Sequence, residues 1–423
     1  MQNITFITNV AKNNLEYTKL LLRSLETNLD NKTHQIIVFV DVDNENSLEY
    51  LLSVKKNFHD LTIIHNTVDI PIGYQRNKTI LTQYAKYDIV SYLQSDMVVG
   101  PHYDTDILKH AKRGRILSAT RVEPPLHGES AITVTHDFGL HPEDFDLSKW
   151  NTFSESIKRD ELISFFFAPI TYYKDDWMQL GGYDTVFRRS REDSDFVQRC
   201  VHANMELVQT FSANVYHFTC VSSRGKNWFD TSDTQAQERV RLQKIADNIE
   251  LRKFIRKWGN FNHGEKPLIK LDADLVLQNY ELQSAYEMEP FFSRVWLTSE
   301  TDRDILLSEY SNVDTVANLL WDISNETWNK YKHLYRTETF DNIFHVGEPS
   351  DYNTKIVVDF NKIKNPNQFL SNLQNMYDLL KDCDPGQYEL DGVDIFVNSI
   401  QTSIPPLVVE NPQFNFNLLK VYE

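Results

Sequence analysis

The stretch ITFITNVAKNNLEYTKLLLRSLETNLDNKTHQIIVFVDVD, residues 4–43, decides the fold class. ITFITNV (4–10) reads as an apolar strand, and LEYTKLLLRSLETNL (15–29) sets Leu15, Leu22, Leu25 and Leu29 on one face of a helix. QIIVFVDVD (35–43) then reads as a second, buried strand. The alternation continues: LTIIHN (61–66) and DIVSYLQSDMVV (88–99) supply two more strands, with the helical GYQRNKTILTQYAKY (73–87) between them. Strand and helix in this order predict an α/β domain, a mostly parallel, Rossmann-like sheet covered by helices on both faces. Ligands of such open sheets gather at the carboxyl ends of the strands, where the acidic DVDNE and SDMVV stretches fall.

Composition narrows the class. A chain of 423 residues with 41% apolar and 12% aromatic side chains can build two cores. The 43 Lys and Arg against 60 Asp and Glu give a net charge of −17, which argues against a surface devoted to nucleic acid or anionic membrane. Cys200, Cys220 and Cys383 are scattered without CxxC spacing, so neither a disulfide framework nor a zinc site is indicated. The first residues lack a basic then apolar leader pattern, and no run reaches the roughly 18 apolar residues of a membrane span. The expectation is a cytoplasmic chain without an integral membrane segment.

Residues 120–160 are polar and weakly patterned, which predicts a long surface excursion of the functional kind. NFNHGEKP (260–267) has linker composition and predicts a division into domains 1–263 and 264–423. The second, smaller domain, expected to be α+β, carries no motif; acceptor binding or self-association into a homo-oligomer is the expectation for it. FNFNLLKVYE (414–423) reads as a docking strand or tail. The basic LRKFIRKWG (251–259) reads as the solvated end of a helix, or as a surface for anionic lipid or an acidic acceptor.

Several side chains are suited to chemistry, each with a plainer reading beside it. Asp96 in YLQSDMVVG ends a strand, where a carboxylate holds a hard divalent cation or simply caps the chain. His217 in VYHFTC is a metal ligand or a buried, hydrogen-bonded histidine. Asp41 and Asp43 in FVDVDNENS can accept from a nucleobase or ribose, or stabilise a turn. Gly73, Arg76 and Asn77 stand at a loop-to-helix junction suited to a pyrophosphate. SREDSDFVQR (190–199) places Glu192, Asp193 and Asp195 at a helix start, after the Gly181-Gly182 pair, in a chain with only 13 glycines. Capping by Ser194 needs one acidic neighbour at most; the surplus suggests a base that takes a proton from an attacking hydroxyl.

The ordered set of a strand-end Asp, G-x-x-R-N, a second strand-end Asp, Gly-Gly-Tyr-Asp, Glu-Asp and His resembles the family 2 type of nucleotide-sugar glycosyltransferases with the GT-A fold. FFFAPITYYKDDWMQLGGYDTVFRRSREDSDFVQR is similar to the matching region of β-galactosyl- and polypeptide N-acetylgalactosaminyltransferases, and the resemblance spans roughly residues 1–260. It implies Asp41, or Asp43, as the uracil or ribose contact, Thr8 lining the base pocket, and Arg76 near the donor. It implies Asp96 and His217 as ligands of Mn2+ or Mg2+, with Gln94 at the donor-side position where the family usually has aspartate. Asp193 is implied as the catalytic base, with Glu192 beside it for acceptor hydroxyls, in an inverting single displacement from a UDP-sugar or similar donor to a hydroxyl of a glycan or other acceptor. The Gln-x-x-Arg-Trp motif of processive synthases is missing, which argues against polymerisation through a membrane.

Gln94 also feeds a second reading, a non-catalytic nucleotide- or glycan-binding protein of the same fold. A nucleotidyltransferase would want a glycine-rich phosphate loop near the start, and ITNVAKNN contains no glycine.

Overall fold

The computed structural model describes residues 2–10, 14–41, 46–68, 71–126, 130–165, 167–219, 230–262, 264, 266–311, 323–340 and 342–423. The first strand, β1 (Ile4–Val10), leads through helix α1 (Leu15–Asn28) to β2 (Gln35–Val40), and α2 (Ser47–Val54) leads to β3 (Asp60–Asn66). α3 (Tyr74–Tyr84) precedes β4 (Ile89–Tyr92), β5 (Met97–Val99), α4 (Tyr103–Leu108) and β6 (Arg115–Glu123). There follow β7 (Thr133–Thr135), α5 (Leu147–Ile157), β8 (Leu162–Ser164), β9 (Ile170–Tyr173), α6 (Lys174–Gln179), α7 (Glu192–His202) and β10 (Glu206–His217).

The sheet runs β3-β2-β1-β4-β9-β6-β10-β5, with β7 beside β6 and β8 beside β10. Pairing makes β1, β2, β3, β4, β6, β7 and β10 point one way, while β5, β8 and β9 oppose them. The sheet is therefore mostly parallel, as the alternation of strand and helix predicts. Side chains alternate along each strand, so Ile4, Phe6 and Val10 of β1 pack with Leu21, Leu22 and Leu25 of α1 on one face. Ile7 packs on the other with Ile80 and Leu81 of α3, Trp177 of α6 and Phe196 of α7. Helices cover both faces.

The stretch DIVSYLQSDMVV breaks into β4 and β5, and the break puts Asp96 between them. The polar excursion 120–160 is more ordered than its composition suggests. Asp146 caps α5 by accepting from Ser148 and Lys149 backbone N–H groups. Trp150 is then buried against Phe138, Phe145 and Tyr216, an aromatic cluster that replaces aliphatic patterning.

A second, six-stranded sheet lies in the C-terminal region, with the parallel strands 344–346, 294–297, 273–278 and 354–359 followed by the antiparallel pair 393–397 and 386–390. Helices 282–288, 300–311, 366–374 and 376–380 build its own core. The chain then returns to the first sheet. Its last strand, Leu419–Tyr422, pairs antiparallel with β3, so FNFNLLKVYE does include a docking strand.

The basic end of the long helix Thr234–Trp258 faces neither solvent nor lipid. Glu289, fully buried, accepts from Arg252 at 2.8 Å and from Arg256 at 2.7 and 2.9 Å, and Arg256 also reaches Glu338 at 2.7 Å. Lys253 binds Glu250 and the Val186 carbonyl. These pairs form because a charge taken out of water must find an opposite one. Replacing Glu289 with Gln leaves two arginines without their shared counter-charge. Glu289→Gln is expected to cost about 3–5 kcal/mol, read as a lower urea midpoint with an unchanged slope.

Candidate active site

The carboxyl ends of the co-directed strands carry Thr8, Asp41, Glu123 and His217, and Asp96 follows β4 at the same edge. Register brings three of them together. His217 pairs across from Met97 on β5, which makes it a neighbour of Asp96, and Tyr216 pairs with Val122 on β6, which makes it a neighbour of Glu123. His217 Nδ1 lies 2.7 Å from Glu123 Oε1 and Nε2 lies 3.8 Å from Asp96 Oδ1. An ionised carboxylate only accepts, so the short contact makes Nδ1 the donor to Glu123 and turns Nε2 toward Asp96. At 3.8 Å no hydrogen bond joins them.

Asp96 is 1% exposed, and neither of its carboxylate oxygens has a hydrogen-bond partner among the described residues. A buried carboxylate in that condition is costly. A buried carboxylate with a ring nitrogen turned toward it at 3.8 Å suits a cation. Glu123, which the sequence reading passed over, holds His217 as an outer carboxylate holds a metal-binding histidine. Among the described residues no group of three or more His, Cys, Asp or Glu is arranged to hold a metal.

Asp41 has the opposite character. Asn66 and Asn77 side-chain amides donate to it at 3.0 and 3.1 Å, and the N–H groups of Ile72 and Gly73 at 2.8 and 3.1 Å. Burial pushes its carboxyl up while these four donors pull it down. Asp41 thereby fixes the loop that turns at Gly73 (φ 84°) into α3. Asp43 lies outside the described residues.

Arg76, in the first turn of α3, is 4% exposed and its guanidinium has no hydrogen-bond partner among the described residues. Phe414 from the C-terminal segment lies 5.6 Å from it, and burial lowers its pKa to about 10. The hydroxyl of Thr8 and the side-chain carbonyl oxygen of Gln94 are likewise buried without a partner. These groups were singled out by sequence, and all three keep unused polar atoms.

The acidic start of α7 divides its labour. Asp195 is fully buried and accepts from Arg199 and Trp258, both at 2.9 Å, with Lys257 at 2.6 Å. It is structural. Glu192 and Asp193 act electrostatically on Lys78 and Tyr183, and Glu192 acts with Asp96 on Tyr92, so Glu192 links the helix start to the strand-end carboxylate. Asp193 accepts from the Ser194 N–H at 2.6 Å. Lys78, two residues past Arg76, sits 4.0 and 4.3 Å from the rings of Tyr92 and Tyr183, and burial lowers its pKa to about 8 against the pull of Glu192 and Asp193. The glycine pair serves packing: both have φ near 70°, a Cβ on Gly182 would strike Thr79 and Trp177, and one on Gly181 would strike the Val409 backbone.

No protein-family model and no curated protein matches the sequence. Solved structures similar in shape include GalNAc-T7 with UDP, GalNAc and Mn2+ (10% identity, TM-score 0.38, covering 51% of this chain and 43% of that one). S. aureus TarS matches at 13% identity and TM-score 0.38, covering 60% of this chain and 44% of TarS. Its 1–349 fragment in complex with UDP matches at 12% and 0.37, covering 83% and 98%. This chain thus spans less than half the length of the first two. The chemistry has to come from the site itself.

Lys78 and the buried Lys270, also lowered to about 8, set a pH signature. A lysine with its folded pKa below its unfolded one binds its proton more weakly when folded, so stability rises as pH goes from about 8 to 10. The expected gain is on the order of 1–2 kcal/mol per lysine. Urea titrations at pH 7.5, 8.5 and 9.5 should show it, and Lys78→Met should remove about half of the rise.

Proposed function

We propose that the chain is a divalent-metal-dependent glycosyltransferase that moves a sugar from a nucleotide donor, a UDP-sugar by preference, to an acceptor hydroxyl. The observation that carries this reading is the buried carboxylate of Asp96, without a hydrogen-bond partner among the described residues, facing Nε2 of His217, with Glu123 fixing the ring. Asp96 and His217 would hold Mn2+ or Mg2+, whose charge would offset the negative charge left on a departing nucleoside diphosphate.

The chain's own groups do the rest. Arg76 supplies a buried positive charge without a carboxylate of its own, suited to the donor's anionic part. Thr8 and Gln94 offer unpaired polar atoms to the nucleotide, and Asp41 acts by shaping the loop 71–73. Asp193 and Glu192 both act electrostatically on Lys78, which supports reading Asp193 as the base. It takes the proton of the acceptor hydroxyl as that oxygen bonds to the anomeric carbon and the sugar–phosphate bond breaks, its electrons going to the diphosphate. One base and no covalent nucleophile imply inversion. Residues 1–263 form the catalytic domain in this reading, and 264–423 a second domain whose last strand joins the first sheet.

Nucleoside diphosphate release from a panel of UDP-, GDP- and TDP-sugars, with and without Mn2+, tests the proposal. Release from one donor should need the metal and disappear in Asp96→Ala. Asp193→Asn should keep donor binding and lose transfer by roughly 10²- to 10⁴-fold; intact transfer in that variant would remove Asp193 as the base. Donor binding with no turnover under any acceptor would instead favour the non-catalytic reading that Gln94 suggests.

A further inference from the structure

The C-terminal region touches the donor side of the site through Tyr335 and Phe414. Tyr335 is buried, and its hydroxyl donates to the Pro71 carbonyl at 2.6 Å. Pro71 opens the loop whose next two N–H groups bind Asp41, and that loop ends at the helix turn carrying Arg76. Tyr335 feels both Arg76 and Arg188 electrostatically, and its phenol is raised by burial, so it remains a hydrogen-bond donor at any working pH.

Around it, the Trp328 ring lies tilted 5.3 Å from Tyr335 and 4.0 Å from the guanidinium of Arg188, itself buried, on the segment leading to Glu192. Phe414 covers Arg76, and Val68 packs against the same Trp328–Tyr335 cluster. Arg76, whose guanidinium has no hydrogen-bond partner among the described residues, thus lies beside Phe414, and the neighbouring Arg188 lies against Trp328 and Tyr335, so aromatic side chains from 328–335 and 414, both outside the first 263 residues, line this pair of buried cations. Aromatic faces stabilise a guanidinium without supplying the anion it lacks.

We infer that residues 328–335 of the C-terminal region form the outer wall of the donor site, with Tyr335 as a positioning residue that locks the 71–73 loop and thereby sets Arg76 for the anionic part of a nucleoside diphosphate. The inference rests on the donor-site reading above and assigns the C-terminal region a part in substrate binding. The Tyr335 bond is worth little to the fold as a whole, since the segment keeps its aromatic contacts without the hydroxyl. Its effect falls on the loop.

The test uses the full chain, UDP as the probe and calorimetry for affinity, followed by donor kinetics. Tyr335→Phe is expected to weaken UDP binding about fivefold to tenfold and raise donor KM in proportion, while kcat and the melting temperature stay near the parent values. Arg76→Ala is the reference and should weaken UDP at least as much. Were Arg76→Ala to lose UDP while Tyr335→Phe and Trp328→Leu bind it like the parent, the wall would be overturned and the donor site kept. If the parent itself binds no UDP or other nucleoside diphosphate, the donor-site reading fails first. A fall in kcat and melting temperature with KM unchanged would make Tyr335 merely structural and would also overturn the inference.

Discussion

The placement of the acidic helix depends on one buried carboxylate. Asp195 receives Arg199 from its own helix and Trp258 and Lys257 from the end of the long helix, and it does so fully out of water. Arg199 in turn donates to the carbonyls of Leu180 and Gly182, both at 2.6 Å, which fixes the turn before α7. Such a group is strongly committed: removing one partner of a buried charge network typically costs several kcal/mol. The orientation in which Glu192 and Asp193 meet Lys78 follows from that commitment. The left-handed conformation of Arg191, φ 71°, at the entrance of the helix is part of the same constraint.

Against this background the contrast among the strand-end carboxylates is informative. Asp41 and Asp195 have their oxygens filled by donors of the protein, and each organises backbone or helices around itself. Asp96 has none among the described residues, although it is the more expensive to leave so because almost no solvent reaches it. Folding stability alone would favour a donor there. Arg76 repeats the pattern with the opposite sign, a buried guanidinium with no anion. An unsatisfied negative group and an unsatisfied positive group, each buried, are left open where folding stability alone would have filled them.

Most of the sheet was legible because hydrophobic periodicity is local. β1, α1 and β2 announce themselves in forty residues, and the helix 15–29 expected from its leucines is observed at Leu15–Asn28. The strand-end positions of Asp96 and His217 were legible for the same reason, and so was the Gly-Gly turn, since the pair's backbone geometry is a local demand. Contacts of high sequence separation were not. Glu123 meets His217 through strand register across ninety-four positions, and nothing in TRVEPP distinguishes it from a solvated glutamate. Likewise LRKFIRKWG looks like a solvated helix end because Glu289 and Glu338, its partners, lie tens of residues ahead. The aromatic order of 136–153 escaped because it rests on stacking among rings and not on a strand or helix period.

The return of the chain to the first sheet explains why the site draws on distant sequence. Leu419–Tyr422 closes the β3 edge, which would otherwise present unpaired backbone groups to other chains. To reach that edge the chain passes over the Gly181-Gly182 turn, where Asn411 donates to the carbonyls of Gly181 and Tyr183 and accepts from Thr185. The same passage lays Phe414 beside Arg76. A side chain at Gly181 would obstruct this route against Val409, whereas one at Gly182 would strike Thr79 and Trp177. Gly181 therefore admits the strap that lays Phe414 beside Arg76, while the acidic cluster nearby is held by the long helix. Edge protection and site enclosure are two results of one path of the chain.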